Sequence, residues 1–167
     1  MARISSCFNY FVISACLAAA CLTVPVRAST TPDPTSQLAA IYAKTDAALD
    51  KKNADASTAF HSANFLVLDS NGVVQTADQQ KARLIKMFAS VTSLDITTRI
   101  IKCDYAEKTA TVIISQHVRA SVVDPDTSKA VWVSGDDQAR ELWTKGPTGW
   151  QIDVAQTLQP MHLTPEE

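Results

Sequence analysis

Three observations in this chain predict an α+β fold, with helices packed on one face of an antiparallel sheet. From Leu38 to Leu49 apolar residues recur at three- and four-residue steps, the period of a helix facing a core. From Asp95 onward the chain turns to long β-branched and aromatic segments. Short turn-forming stretches separate those segments, as in antiparallel hairpins. Helices first and a meander of strands afterwards is the α+β order.

The elements follow in sequence. Arg3 precedes an uncharged run from Ile4 to Val26, which ends at Val26-Arg27-Ala28. A positive start, an apolar middle and a small residue before the cut are the parts of a secretory signal peptide, so residues 1–28 are expected to be removed near Ala28. The expected location is periplasmic or secreted. Ser5, Ser6, Asn9 and Ser14 dilute the run, which argues against a retained membrane anchor. Ile13-Ser14-Ala15-Cys16 and Ala18-Ala19-Ala20-Cys21 resemble bacterial lipidation sites, but the chain stays apolar after each cysteine. A membrane partner is therefore expected only if the leader is lipidated or uncleaved.

Cleavage leaves Cys103 as the single cysteine, so no internal disulfide is expected and stability must come from packing. The remaining length is that of one domain, able to bury roughly two-thirds of its unfolded surface. With 15 Lys and Arg against 17 Asp and Glu and no basic cluster, nucleic acid is excluded as a partner.

Residues 29–36 read as a proline-broken linker. Leu38, Ile41, Tyr42, Thr45 and Leu49 then form one face of an amphipathic helix, with Lys44, Asp46, Asp50 and Lys51-Lys52 on other faces and the lysine pair as its solvated end. A second short helix is expected over Ala56 to His61. Phe65 to Leu68, the turn Asp69-Ser70-Asn71-Gly72 and Val73-Val74 predict a strand and a short return strand. Thr76 with Gln79 forms a capping box opening a third helix through Phe88. Strands are expected over 95–105, 110–123, 130–145 and 150–158, with a bulge or kink at Gly135-Asp136-Asp137 and a frayed tail over 160–167.

Together the opening helix L-A-A-I-Y-A-K-T-D-A-A-L, the stretch F-H-S-A-N-F-L-V-L-D-S-N-G from Phe60, the T-A-D-Q-Q helix start and the closing E-L-W-T-K-G-P-T-G-W-Q-I resemble the nuclear transport factor 2-like superfamily. The likeness is to its SnoaL-like and ketosteroid-isomerase-like bacterial branch, and it covers residues 37–159. It implies a curved antiparallel sheet wrapped into a cone around about three helices, a pocket in the cone and a homodimer. Counting without gaps from Phe60, the resemblance places the isomerases' base on Leu68, with Asp69 beside it. Neighbouring strand residues face opposite ways, so Asp69 is read as a turn residue in preference to a base.

Tyr42 lies near the position of a catalytic tyrosine in those isomerases, half a turn away. Ser115, His117 and Arg119 share one strand face, as a half-exposed stripe or as a pocket wall with His117 an acid or base. The expected pocket is lined by Tyr42, Phe60, Phe65, Leu68, His117, Trp132 and Trp143, with Asp69, Tyr42 and His117 the catalytic candidates. Cys103 is read as a small buried hydrophobe. His61, His117 and His162 are too scattered for a metal site, and no cofactor is expected. The leading expectation is a module that binds a small apolar or amphipathic molecule. An isomerase, dehydratase or hydrolase comes second and a dimeric structural module third. Two convergent polar groups with shifted titration would favour the enzyme, and a cone filled by its own side chains the third reading.

Overall fold

The computed structural model describes residues 33–124 and 126–166. The leader expected at 1–28, the first residues of the linker and Pro125 lie outside them. The described elements are α1 (Pro34–Asp50), α2 (Ala54–Ser57), β1 (His61–Leu68), β2 (Val74–Thr76), α3 (Ala77–Ser90), β3 (Val91–Ala106), β4 (Thr109–Val123), β5 (Ala130–Gly146), β6 (Gly149–Gln159) and β7 (Thr164–Pro165).

α1 starts at Pro34, inside the expected linker, because proline's fixed φ suits a helix's first turn. It buries Leu38, Ile41, Tyr42 and Leu49, as their spacing requires. Asp46 and Asp50 do not face solvent alone. Asp46 accepts from the Thr98 backbone N–H at 2.8 Å and its hydroxyl at 2.7 Å, and Asp50 accepts from the Ile96 N–H at 2.9 Å. β3 is the last strand of the sheet, and one helical turn of spacing lets two carboxylates cover part of its open edge. Lys52, expected in solvent, donates to the carbonyls of Val91 and Thr92 instead.

α2 is shorter than expected and stops at Ser57. The residues beyond it are drawn into the sheet: the Ile152 N–H donates to the Phe60 carbonyl at 2.8 Å, and His61 pairs with Ile152. Thr76 and Gln79 form the expected reciprocal cap of α3.

The strands order as β2-β1-β6-β5-β4-β3, with β7 added to β5. All pairs are antiparallel except β1 with β6, which is parallel, so the sheet is mixed rather than wholly antiparallel. The intervening α3 and three long strands supply the long connection that a parallel pair needs. β4 turns Ala110, Val112, Ile114, Val118 and Ala120 inward, against α1 and β3. The whole is the cone-like α+β arrangement that the resemblance implied.

The tail is not frayed, and Gly135 does not mark a bulge. β4 and β5 pair through 135–137 without a register shift; the shifts lie at Gln138/Ala139 and Leu142/Trp143, against β6. Beyond the end of β6, Thr164 and Pro165 pair with Ser134 and Val133. Arg119 holds Glu166 through its Nε at 2.8 and 2.9 Å and stacks on Trp132, 4.1 Å from the ring centre. Gly135 lies directly beneath this strap.

Candidate functional site

Strand parity decides which side chains enter the cone. In β5 the residues paired with inward Val112, Ile114 and Gln116 are Glu141, Ala139 and Asp137. Trp143, two residues past Glu141, is likewise buried. Tyr42 reaches this face from α1, and Phe60 and His61 reach it from the start of β1. Together with Thr45, Ser57, Thr98, Ile114, Gln116 and Ile152 they line a small, partly open cavity of about 70 Å³. An open groove of about 370 Å³ lies alongside, lined by Gln37, Ile41, Phe60 and Trp150 and by the hairpin between β5 and β6. Phe60 belongs to both.

At the centre is Glu141, only 8% exposed. Its Oε2 accepts from the Tyr42 hydroxyl at 2.5 Å and from the Trp143 indole N–H at 2.9 Å. The indole also lies 3.2 Å from the Tyr42 oxygen, and the two rings meet edge to face at 5.7 Å. Oε1 accepts no hydrogen bond from the described residues. Burial pushes the Glu141 carboxyl up from the usual 4.5 to about 7, against the lowering effect of its two donors and with a smaller push from Asp137. Tyr42 is raised as well, by its own burial and then by the negative charge on Glu141. Asp137 is raised to about 6 by burial and by Asp136.

His61 stacks on Phe65 with ring centres 3.7 Å apart, and its Nδ1 is buried without a partner. Burial lowers it to about 4, so the imidazole is neutral at ordinary pH. On the far side Gln116 donates to the Thr98 hydroxyl at 3.0 Å, and Thr98 in turn donates to Asp46. No group of three or more His, Cys, Asp or Glu among the described residues is arranged to hold a metal ion.

Of the expected pocket residues, Tyr42, Phe60 and Trp143 meet at the cavity. Phe65 is buried core beneath His61. His117, Trp132 and Leu68 do not line it. His117 is on the outer face of β4, half exposed, with its Nδ1 2.9 Å from Asp136. Trp132 is on the same outer face, 38% exposed under Arg119. Leu68 pairs with Gln156 and shares parity with exposed Leu66, whereas β1 turns Phe65 and Val67 inward. The ungapped count therefore put the wrong parity of β1 into the cone.

Asp69 is the turn residue it was read to be. Its Oδ1 accepts from the backbone N–H groups of Asn71 at 2.8 Å and Val73 at 2.9 Å. Asn keeps that acceptor, so Asp69→Asn is expected to shift stability by under about 0.5 kcal/mol in urea denaturation. A loss of several times that would give the charge a role beyond the turn.

The sequence reading left two polar groups of this cavity out of its expected site. Glu141 carried a usable signal, an acid on the same strand face as Trp143. His61 had been assigned to a helix, which removed it from the strand that carries it into the cone.

No protein-family model and no curated protein matches this chain. Solved structures do. A nuclear transport factor 2-like protein from Cytophaga hutchinsonii is 8% identical, covering 77% of this chain and 99% of its own, with a TM-score of 0.60. A candidate scytalone dehydratase from Novosphingobium aromaticivorans is 12% identical, covering 80% and 87%, with a TM-score of 0.67. A type 2 hexachlorocyclohexane dehydrochlorinase is 8% identical, covering 80% and 90%, with a TM-score of 0.62. The chain has the nuclear transport factor 2-like fold, and identities this low speak to the fold alone.

Proposed function

We propose that this protein binds a small molecule in the cone, with a head group in the small cavity at Glu141 and the remainder towards the groove beside Phe60. One observation carries the reading: the Oε1 of Glu141, on a side chain otherwise enclosed by the fold, accepts no hydrogen bond from the described residues and lies open to the pocket. A carboxyl kept only for structure is expected to have its acceptors filled by the protein. Aromatic rings and a few convergent polar atoms are also the usual lining of a ligand site. The test is ligand-observed NMR with a library of fragments of a few heavy atoms. Hits should be lost in Ser57→Phe, which fills the cavity, with the fold intact by circular dichroism. If no hit is sensitive to that substitution, the cavity is not the site.

A second reading is favoured by a separate observation. Glu141 titrates near neutrality and shares the cavity with a neutral imidazole, the pairing needed to move a proton on a bound substrate. The dehydratase and the dehydrochlorinase with this fold are lyases by name, and elimination is chemistry of that kind. On this reading a fragment is consumed, and Glu141→Gln lowers turnover by about 10²-fold or more. Tight binding without turnover supports the binding module instead.

We also propose that the protein is exported, from the composition of residues 1–28. N-terminal sequencing of the protein from its native host should begin at Ser29 or within a few residues of it. A start at Met1 would end this proposal.

A further inference from the structure

We propose that the head group taken by the cavity is a small organic ammonium. The inference rests on the binding reading and deepens it.

The Ser57 hydroxyl is 3.0 Å from the Ala54 carbonyl, which can only accept, so Ser57 donates there. The Thr98 hydroxyl donates to Asp46 for the same reason. Tyr42 and the Trp143 indole spend their hydrogens on Glu141. Those hydrogens are committed within the protein, whereas the Thr45 hydroxyl, the ring N–H of neutral His61 and the second Gln116 amide hydrogen are not. The open acceptors are Glu141 Oε1, the Gln116 amide oxygen and the lone pairs of Ser57, and of these the carboxyl alone can carry a charge.

Charge points the same way. No Lys or Arg lines the cavity, and its one basic side chain, His61, is uncharged. A carboxylate or phosphate would meet the like charge of an enclosed carboxyl with no cation in the lining to compensate. An ammonium brings a positive charge and three donors, which Glu141 Oε1, the Gln116 amide oxygen and Ser57 can accept. Tyr42, Phe60 and Trp143 are in the lining, and any ring that meets the cation with its face adds attraction worth up to about 2 kcal/mol in desolvated sites. At about 70 Å³ the cavity has room for several water-sized positions, enough for an ammonium and its first carbons.

The pH dependence follows from Glu141. The titratable groups around it are Tyr42 on α1, His61 on β1, Cys103 on β3, which acts on Tyr42, and Asp137 on its own strand, with Asp46 one step away behind Thr98. Only ionised Glu141 pairs with the cation. With a carboxyl near 7, affinity should fall about tenfold from pH 8 to pH 6.

The test is calorimetric titration of the full chain with n-butylammonium, n-butanol and butyrate, three probes of similar size. At pH 8 n-butylammonium should bind at least tenfold more tightly than the other two and lose about tenfold in affinity by pH 6. Glu141→Gln, checked for folding by circular dichroism, should abolish both the preference and the pH dependence. Equal or tighter binding of butanol or butyrate by the native chain overturns the ammonium assignment and leaves the binding reading standing. Affinity independent of pH does the same. Binding of none of the three, with no cavity-sensitive fragment found, overturns both.

Discussion

Glu141→Ala is expected to destabilise the fold by about 2–4 kcal/mol at pH 5, whereas Glu141→Gln should cost under about 1 kcal/mol. Alanine strips the acceptor from the buried hydroxyl of Tyr42 and the indole of Trp143, and each orphaned donor costs about 1–3 kcal/mol, eased by the contact those two retain. Glutamine keeps an acceptor at the same place. Urea denaturation of the three chains reads the difference directly, and equal losses for Ala and Gln would remove Glu141 from the centre of the network.

The same residue sets a pH signature. Glu141 has its carboxyl raised in the folded state, so between its ordinary 4.5 and about 7 the folded chain holds a proton that the unfolded chain has released. Its contribution is therefore fully present below about 4.5 and is lost as pH rises through about 7, to the extent of about 3 kcal/mol. His61 has the opposite sign. Its folded value is lowered from 6.5 to about 4, so its contribution is present above 6.5 and lost as pH falls towards 4. The two slopes oppose each other over most of this window, and Asp137, raised to about 6, adds to the falling one. The clean measurement is the difference between native and Glu141→Gln chains, which should shift in favour of the variant by up to about 3 kcal/mol from pH 4.5 to pH 8. A difference that stays flat across that range would mean the carboxyl is not titrating in a buried site.

Gly135→Ala is expected to cost about 1–3 kcal/mol through the C-terminal strap. A Cβ at this position would lie 2.5 Å from the carbonyl oxygen of His162 and 3.1 Å from its carbon, both backbone atoms that cannot rotate away. The strap must lift, which strains the β5–β7 pairing and the hold of Arg119 on Glu166. Gly146→Ala is the control. Its Cβ would meet the Gly149 carbonyl at an ordinary 3.9 Å. Thermal unfolding should separate the two variants by several degrees, with protease cleavage near Met161 appearing only in the first. Equal melting temperatures would show that the strap yields without cost.

Periodicity alone determined the α+β class and the long strands, because burying one face of a helix or strand needs apolar residues at a fixed spacing. It also determined that α3 starts at Thr76 and that Asp69 belongs to a turn, since both rest on hydrogen bonds reaching only a few residues along the chain. What joins distant parts of the chain was not legible there. The Tyr42 and Glu141 hydroxyl–carboxyl contact spans 99 positions, and the tie of the tail to Arg119 spans 47. Whether Leu68 or Val67 faces inward depends on the register of β1 against β6, where a one-residue shift turns every side chain over. His61 was placed by pairing with Ile152 rather than by local helix preference. A carboxyl on a strand reads the same in the sequence whether solvent or a tyrosine meets it, and only the approach of α1 to β5 made Glu141 a buried acid bonded to Tyr42.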